Sequence, residues 1–224
     1  MMERTRIKAA VSKGILFDGL PVEELDRIVN IVVVKTYNRG ETIFFEGDTG
    51  NGFYMVETGK VKIYKMSLTG KEQILHIFGA GEPFGEVPVF HGRPFPATAE
   101  ALARSDLFFF PRDKFIQLVH ETPSVALNML AVLSMRLRRF ATQIENLSLK
   151  EVPARLAGYL LYLLEEQKGE NFVELEISKG QLASLLGTIP ETLSRMFAKM
   201  SEEGLIAVEG RTIRILDRKR LAEK

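Results

Sequence analysis

Glu191 and Arg195 stand four residues apart in the run Ile189-Pro190-Glu191-Thr192-Leu193-Ser194-Arg195. On a helix that spacing puts both on one face, about one turn long. Arginine can give two parallel hydrogen bonds to guanine O6 and N7, and a carboxylate can accept from cytosine N4. Together they could read neighbouring base pairs of a duplex and hold one another in place. Thr192 and Ser194 can donate to phosphates or touch a thymine methyl. Thr188 and Lys199, with Arg211 and Arg214 further on, are candidate phosphate contacts. Taken alone, a Glu–Arg pair at this spacing reads as an ordinary surface pair. The elements around it decide.

Ser178 can cap a helix over 179–186, with Leu182, Leu185 and Leu186 as its apolar face and small Ala183 permitting close packing. Gly187 sits at a turn, where a left-handed backbone is cheap only for glycine. Pro190 suits the first position of a second helix. Leu193, Met196, Phe197 and Met200 give that helix a buried face. Two short strands, 205–208 and 211–215, flank the turn Glu209-Gly210 and read as a hairpin. Helix, turn, helix and hairpin in that order make a winged helix-turn-helix.

Upstream, the texture differs. Residues 1–20 read as a short lead, and Pro21 opens a helix over 22–30. From Ile31 to about Phe110, β-branched and aromatic runs alternate with glycine turns. Strand candidates are 32–34, 42–45, 53–56, 60–65 and 72–78, a pattern of an antiparallel sandwich or barrel. Helical texture begins near Lys114. After Pro123, Ala126, Leu130, Leu133, Leu137, Phe140, Ile144 and Leu147 follow at alternating steps of four and three. Such a heptad seam suits a helix packed on its own sheet or a parallel two-helix dimer. The strict spacing with polar flanks favours the dimer. A break at 148–153 precedes a helix over 154–167 and a strand over 172–177. The expected domains are a β domain at 1–122, a dimerisation helix at 123–147 and a DNA-binding domain at 148–224, an α+β chain overall.

Composition narrows the function classes. The 224 residues include no cysteine, so disulfides, zinc–thiolate sites and cysteine-held iron–sulfur clusters are excluded. The formal net charge of +1 neither demands nor forbids a nucleic-acid partner. No apolar run of about 18 residues suggests a membrane span. The charged start Met1-Met2-Glu3-Arg4-Thr5-Arg6 lacks the apolar core of a secretory leader, so the expectation is a cytoplasmic protein. There is no P-loop, nucleophile motif or histidine–carboxylate metal spacing, and no enzyme is expected.

On these residues the chain resembles the Crp/Fnr regulators, from about residue 20 to 217. Gly81-Glu82-Pro83-Phe84-Gly85-Glu86 is similar to that family's Gly-Glu-x-Phe-Gly-Glu stretch. The heptad helix resembles its dimerisation helix. Glu191, Ser194 and Arg195 match its E-x-x-S-R recognition pattern. The resemblance implies an N-terminal antiparallel β-roll (a cyclic-nucleotide-binding-like double-stranded jelly roll), a long central dimerisation helix and a C-terminal winged helix-turn-helix. It implies a homodimer on double-stranded DNA, with Glu191, Ser194 and Arg195 on bases of TTGA- or TGTGA-type half-sites. RNA polymerase is the further partner it implies.

The family's roll often holds cyclic AMP through an Arg-Ser pair, and here Phe95-Pro96 stands at that place. Phenylalanine cannot pair with a phosphate, and proline offers no N–H. Arg93 lies two residues early, on the same strand face. The positions that would meet adenine read Phe140-Ala141, where cyclic-AMP members carry hydroxyls. The expected effector is therefore not cyclic AMP. Residues 95–102 resemble the nitric-oxide-responsive subgroup, some of whose members use haem. Candidate axial ligands are His76, His91 and His120. The expected effector pocket comprises Phe84, Gly85, Glu86, Phe95, Pro96, Ala97, Thr98 and Phe140. It could accept haem, a small apolar molecule or only its own side chains, with Glu86 serving the roll's own turn. Two other readings stay open: a cyclic-nucleotide-responsive regulator, and a ligand sensor that does not act on DNA.

Overall fold

Aromatic and β-branched runs punctuated by glycine become two antiparallel sheets, and helices cover one of them. The structure is a computed structural model that describes residues 2–224. It divides into two compact units, the first ending at Leu137 and the second running Arg138–Lys224.

In the first unit, α1 (Met2–Val11) and α2 (Val22–Ile31) precede the strands. These are β1 (Val33–Tyr37), β2 (Thr42–Phe44), β3 (Gly52–Thr58), β4 (Val61–Met66), β5 (Glu72–Phe78) and β6 (Pro83–Phe84). A short α3 (Val87–His91) leads to β7 (Thr98–Ala101), β8 (Ser105–Pro111) and α4 (Arg112–Glu121). One sheet has the order β1-β8-β3-β6 and the other β2-β7-β4-β5. The rings of Phe44, Tyr54, Phe84, Phe95 and Phe109 form one core cluster. A second cluster joins Phe53, Met55, Phe108 and Phe110 to residues of α1, α2 and α4. The sheet holding β3 and β8 is thus buried on both faces, and these strands show no polar alternation.

The region expected as a lead is helical from Met2, with Ile7 and Val11 buried four residues apart; Met1 lies outside the described residues. Arg6 ties it down by pairing with the mostly buried Glu57 carboxylate at 3.1 Å. The long helix α5 runs Pro123–Leu149, and the division into units falls inside it. Within the first unit Val125, Met129 and Val132 are buried against the second cluster. Leu130, Leu133 and Leu137 point elsewhere and are exposed, Leu137 by 72%.

In the second unit, Phe140, Ile144 and Leu147 are exposed along the rest of α5. Only Lys150 and Glu151 separate it from α6 (Val152–Glu166), a shorter break than the expected 148–153. Then come β9 (Phe172–Glu174), α7 (Lys179–Leu185), α8 (Pro190–Glu202), β10 (Ile206–Glu209), β11 (Thr212–Ile215) and α9 (Arg218–Ala222). The three strands order as β10-β11-β9, antiparallel. No helix among the described residues is long and apolar enough to cross a membrane.

Candidate nucleic-acid interface

Ser178 starts α7 with a full capping box. The Gln181 N–H donates to Ser178 Oγ at 3.2 Å, and the Ser178 N–H donates to Gln181 Oε1 at 2.8 Å. Gly187 takes φ +66° in the turn, and the Thr188 N–H donates back to the Ala183 carbonyl at 2.9 Å. Pro190 then opens α8. Leu193, Phe197 and Met200 are buried and Met196 half-buried, anchoring α8 on the unit's core. The period of the helix leaves Glu191, Ser194, Arg195 and Lys199 exposed and Thr192 half-buried.

One expectation fails here. Arg195 Nη2 donates to the Thr192 hydroxyl at 3.1 Å, and among the described residues no ion pair joins Arg195 to Glu191. The hydroxyl three residues back lies within reach, and an exposed i,i+4 ion pair is worth too little to compete decisively. The Glu191 carboxylate is left to accept from another donor.

The wing follows from the β10–β11 register, Glu209 facing Thr212 and Ala207 facing Arg214. Gly210 turns the chain at φ +64°. Arg211 is exposed at the tip, and Arg214 is exposed with its guanidinium 4.0 Å from Glu209. Helix α9, which no sequence signal had indicated, supports the far end of α8. Asp217 caps it by accepting from the Arg220 N–H at 3.0 Å. Arg220 donates to the Glu203 carbonyl at 3.3 Å, and Lys224 pairs with the Glu203 carboxylate at 2.6 Å. That hydrogen bond from Lys224 holds the Glu203 carboxyl below the usual carboxylate range.

In the first unit the structure places most of the expected effector residues on or beside the roll's aromatic core. Phe84, Phe95 and Ala97 are buried. Phe95 stacks on Phe44 with centroids 3.7 Å apart. Gly85 takes φ +74° beneath those two rings, where a Cβ would come within 3.2 Å of both. Pro96 presents its carbonyl to Lys65 at 3.0 Å, and the Thr98 hydroxyl accepts from the Glu46 N–H at 3.1 Å. Phe140 belongs to the second unit.

Glu86 does not serve its own turn. It pairs with Arg136 of α5 at 2.6 Å, both side chains mostly buried. Arg136 also donates to the Pro83 carbonyl and lies 5.1 Å from the Phe78 ring centroid. Removing the guanidinium strands a carboxylate and a carbonyl. Arg136→Ala is therefore expected to lower the stability of the first unit by about 1.5–3 kcal/mol. Glu86→Gln, which keeps an acceptor, should cost less. Thermal unfolding followed by circular dichroism checks the order, and equal midpoints for all three proteins would show the pair contributes nothing.

His76, on β5, sits edge-on to Phe78 and 3.8 Å from Glu82, while His91 and His120 are exposed. The rings of Phe84 and Phe95 both pack against Phe44. Among the described residues no three His, Asp or Glu side chains gather as metal ligands.

A two-sheet roll, a long helix and a winged helix-turn-helix together define a DNA-binding transcription regulator. Residues 34–122 match the cyclic nucleotide-binding domain family, and residues 154–224 match the Crp-like helix-turn-helix domain. The chain is 34% identical over 208 residues to the cyclic AMP receptor protein of Thermus thermophilus, covering 93% of this chain and 95% of the relative. It is 28% identical over 205 residues to the fumarate and nitrate reduction regulatory protein of Escherichia coli, covering 89% and 82%. FixK2 from Bradyrhizobium japonicum superimposes with a TM-score of 0.77 at 25% identity, covering 86% of this chain and 96% of that one. The chain belongs to the Crp/Fnr family of transcription regulators.

Proposed function

We propose that the protein is a cytoplasmic homodimer that reads an inverted repeat of TTGA- or TGTGA-type half-sites. It acts by binding, without catalysis, and recruits or blocks RNA polymerase. The observation that carries this reading is the exposed stripe Glu191, Ser194 and Arg195 on a helix whose opposite face is locked into the core. Those three contact bases. Thr188, Thr192, Lys199, Arg211 and Arg214 contact phosphates. The exposed leucines of α5 form the dimer seam, so two recognition helices can meet one face of the duplex about 34 Å apart.

Fluorescence anisotropy with an inverted TTGA repeat and a scrambled duplex of equal length tests the reading. Preference for the repeat, falling steeply with salt, is the expected result. Equal affinity for both duplexes would refute it.

The effector is a small molecule other than cyclic AMP. The Thermus relative carries cyclic AMP in its name. The resemblance puts Phe95 at the place of the family's phosphate-binding pair, and its ring is stacked on Phe44 and offers a phosphate nothing. The resemblance of residues 95–102 to the nitric-oxide-responsive subgroup suggests a redox or nitrosative signal. Haem is not the route we favour, given the packing around Phe95 and the positions of the histidines. An effector shifts the regulator only through its differential affinity for two states. Titration calorimetry with cyclic AMP is expected to show no binding heat. A saturable heat accompanied by tighter operator binding would reverse this assignment.

A further inference from the structure

Ile189 stands where its chemistry does not help the helix. It is the N-cap of α8, with extended backbone (φ −112°, ψ 155°) and no side-chain cap hydrogen bond. Serine, threonine, aspartate and asparagine are favoured there because their oxygen accepts from an N–H that is otherwise unpaired. The same domain uses that device twice, with Ser178 on α7 and Asp217 on α9. At α8 it places a β-branched hydrocarbon instead, and leaves it 49% exposed. Pro190, also exposed, extends the apolar edge. Neither capping nor core packing accounts for an isoleucine at this position.

The next residue is Glu191, the first of the base-facing stripe. When a recognition helix enters the major groove, its N-terminal residues are the ones that meet base edges. The apolar feature of that groove is the 5-methyl group of thymine. Ile189 has no donor for a phosphate and no acceptor for a base amino group. We propose that Ile189, backed by Pro190, is a specificity-determining residue that packs on a thymine methyl of each half-site. This rests on the DNA-reading role proposed above for α8.

The test uses the full-length protein and the inverted TTGA repeat, with deoxyuridine replacing thymine at one position at a time in both half-sites. Deoxyuridine keeps every hydrogen bond and removes only the methyl. One such replacement is expected to weaken wild-type binding about tenfold, the worth of two buried methyl groups. The same duplex should cost Ile189→Ala nothing further. Ile189→Ser should also lose the methyl dependence while its thermal midpoint rises, because the cap is restored. The inference is overturned if no deoxyuridine duplex weakens wild-type binding, or if the penalty persists undiminished in both variants. Wild-type protein that cannot tell the repeat from a scrambled duplex would remove the DNA reading itself, and this assignment with it.

Discussion

Arg195→Ala is expected to weaken binding to the inverted repeat by about 2–6 kcal/mol, counting about 1–3 kcal/mol for each of two half-sites. Binding to random duplex should change little, so the loss is one of specificity. Arg195 is exposed, and its guanidinium donates to the Thr192 hydroxyl. That bond braces the side chain and leaves its remaining N–H groups free for a base. The variant protein should fold normally, because no buried group loses a partner. Lys199→Ala is the contrasting change. A phosphate contact carries no sequence information, so its loss should weaken all duplexes alike and reduce the salt slope by about one per half-site. Anisotropy titrations at several salt concentrations separate the two patterns. Equal losses on operator and random DNA for Arg195→Ala would make it a phosphate contact.

How far such residues could be read before any fold was known depends on where their information lies. The recognition half was legible because single residues mark its boundaries. Ser178, Gly187, Pro190 and Gly210 each answer a local backbone requirement, and the apolar period of α8 predicts which face is free. The partner of Arg195 was not legible, since positions three and four residues away are nearly equidistant on a helix. Strand β8 escaped notice for the opposite reason. Phe108 and Phe110 face the helices while Leu107 and Phe109 face the other sheet, so Ser105–Pro111 carries no alternation to detect. Helix α9 was hidden by charge. Leu221 is its one buried residue, and its start depends on the Asp217 cap. The effector region was least legible, because its decisive contacts are remote in sequence. Phe95 meets Phe44, and Glu86 meets Arg136 fifty residues away. Neither pairing leaves a local trace.

The seam on α5 combines both kinds of information and leads to the second large effect. Period alone left open whether the leucines pack on their own sheet. The structure gives that role to Val125, Met129 and Val132, and leaves Leu137 exposed by 72%. In a parallel two-helix seam each such residue meets its own twin across the twofold axis. Leu137→Glu would set two carboxylates face to face and forfeit the burial of two leucines, about 3–6 kcal/mol before any repulsion is counted. The dimer should weaken at least about a hundredfold at pH 7. The sign of its pH dependence follows. A carboxyl facing its twin has a raised pKa in the dimer, so the dimer should recover as pH falls and protons neutralise the pair. Val132→Ala is the internal control. It should lower the stability of the first unit through a buried cavity while leaving association intact. Sedimentation velocity across a concentration series reads both variants. Operator affinity should fall with the dimer in Leu137→Glu, because one recognition helix alone contacts only one half-site. Undiminished association of that variant at pH 7 would take the seam out of the dimer, and with it the geometry that brings two copies of Arg195 to one face of the duplex.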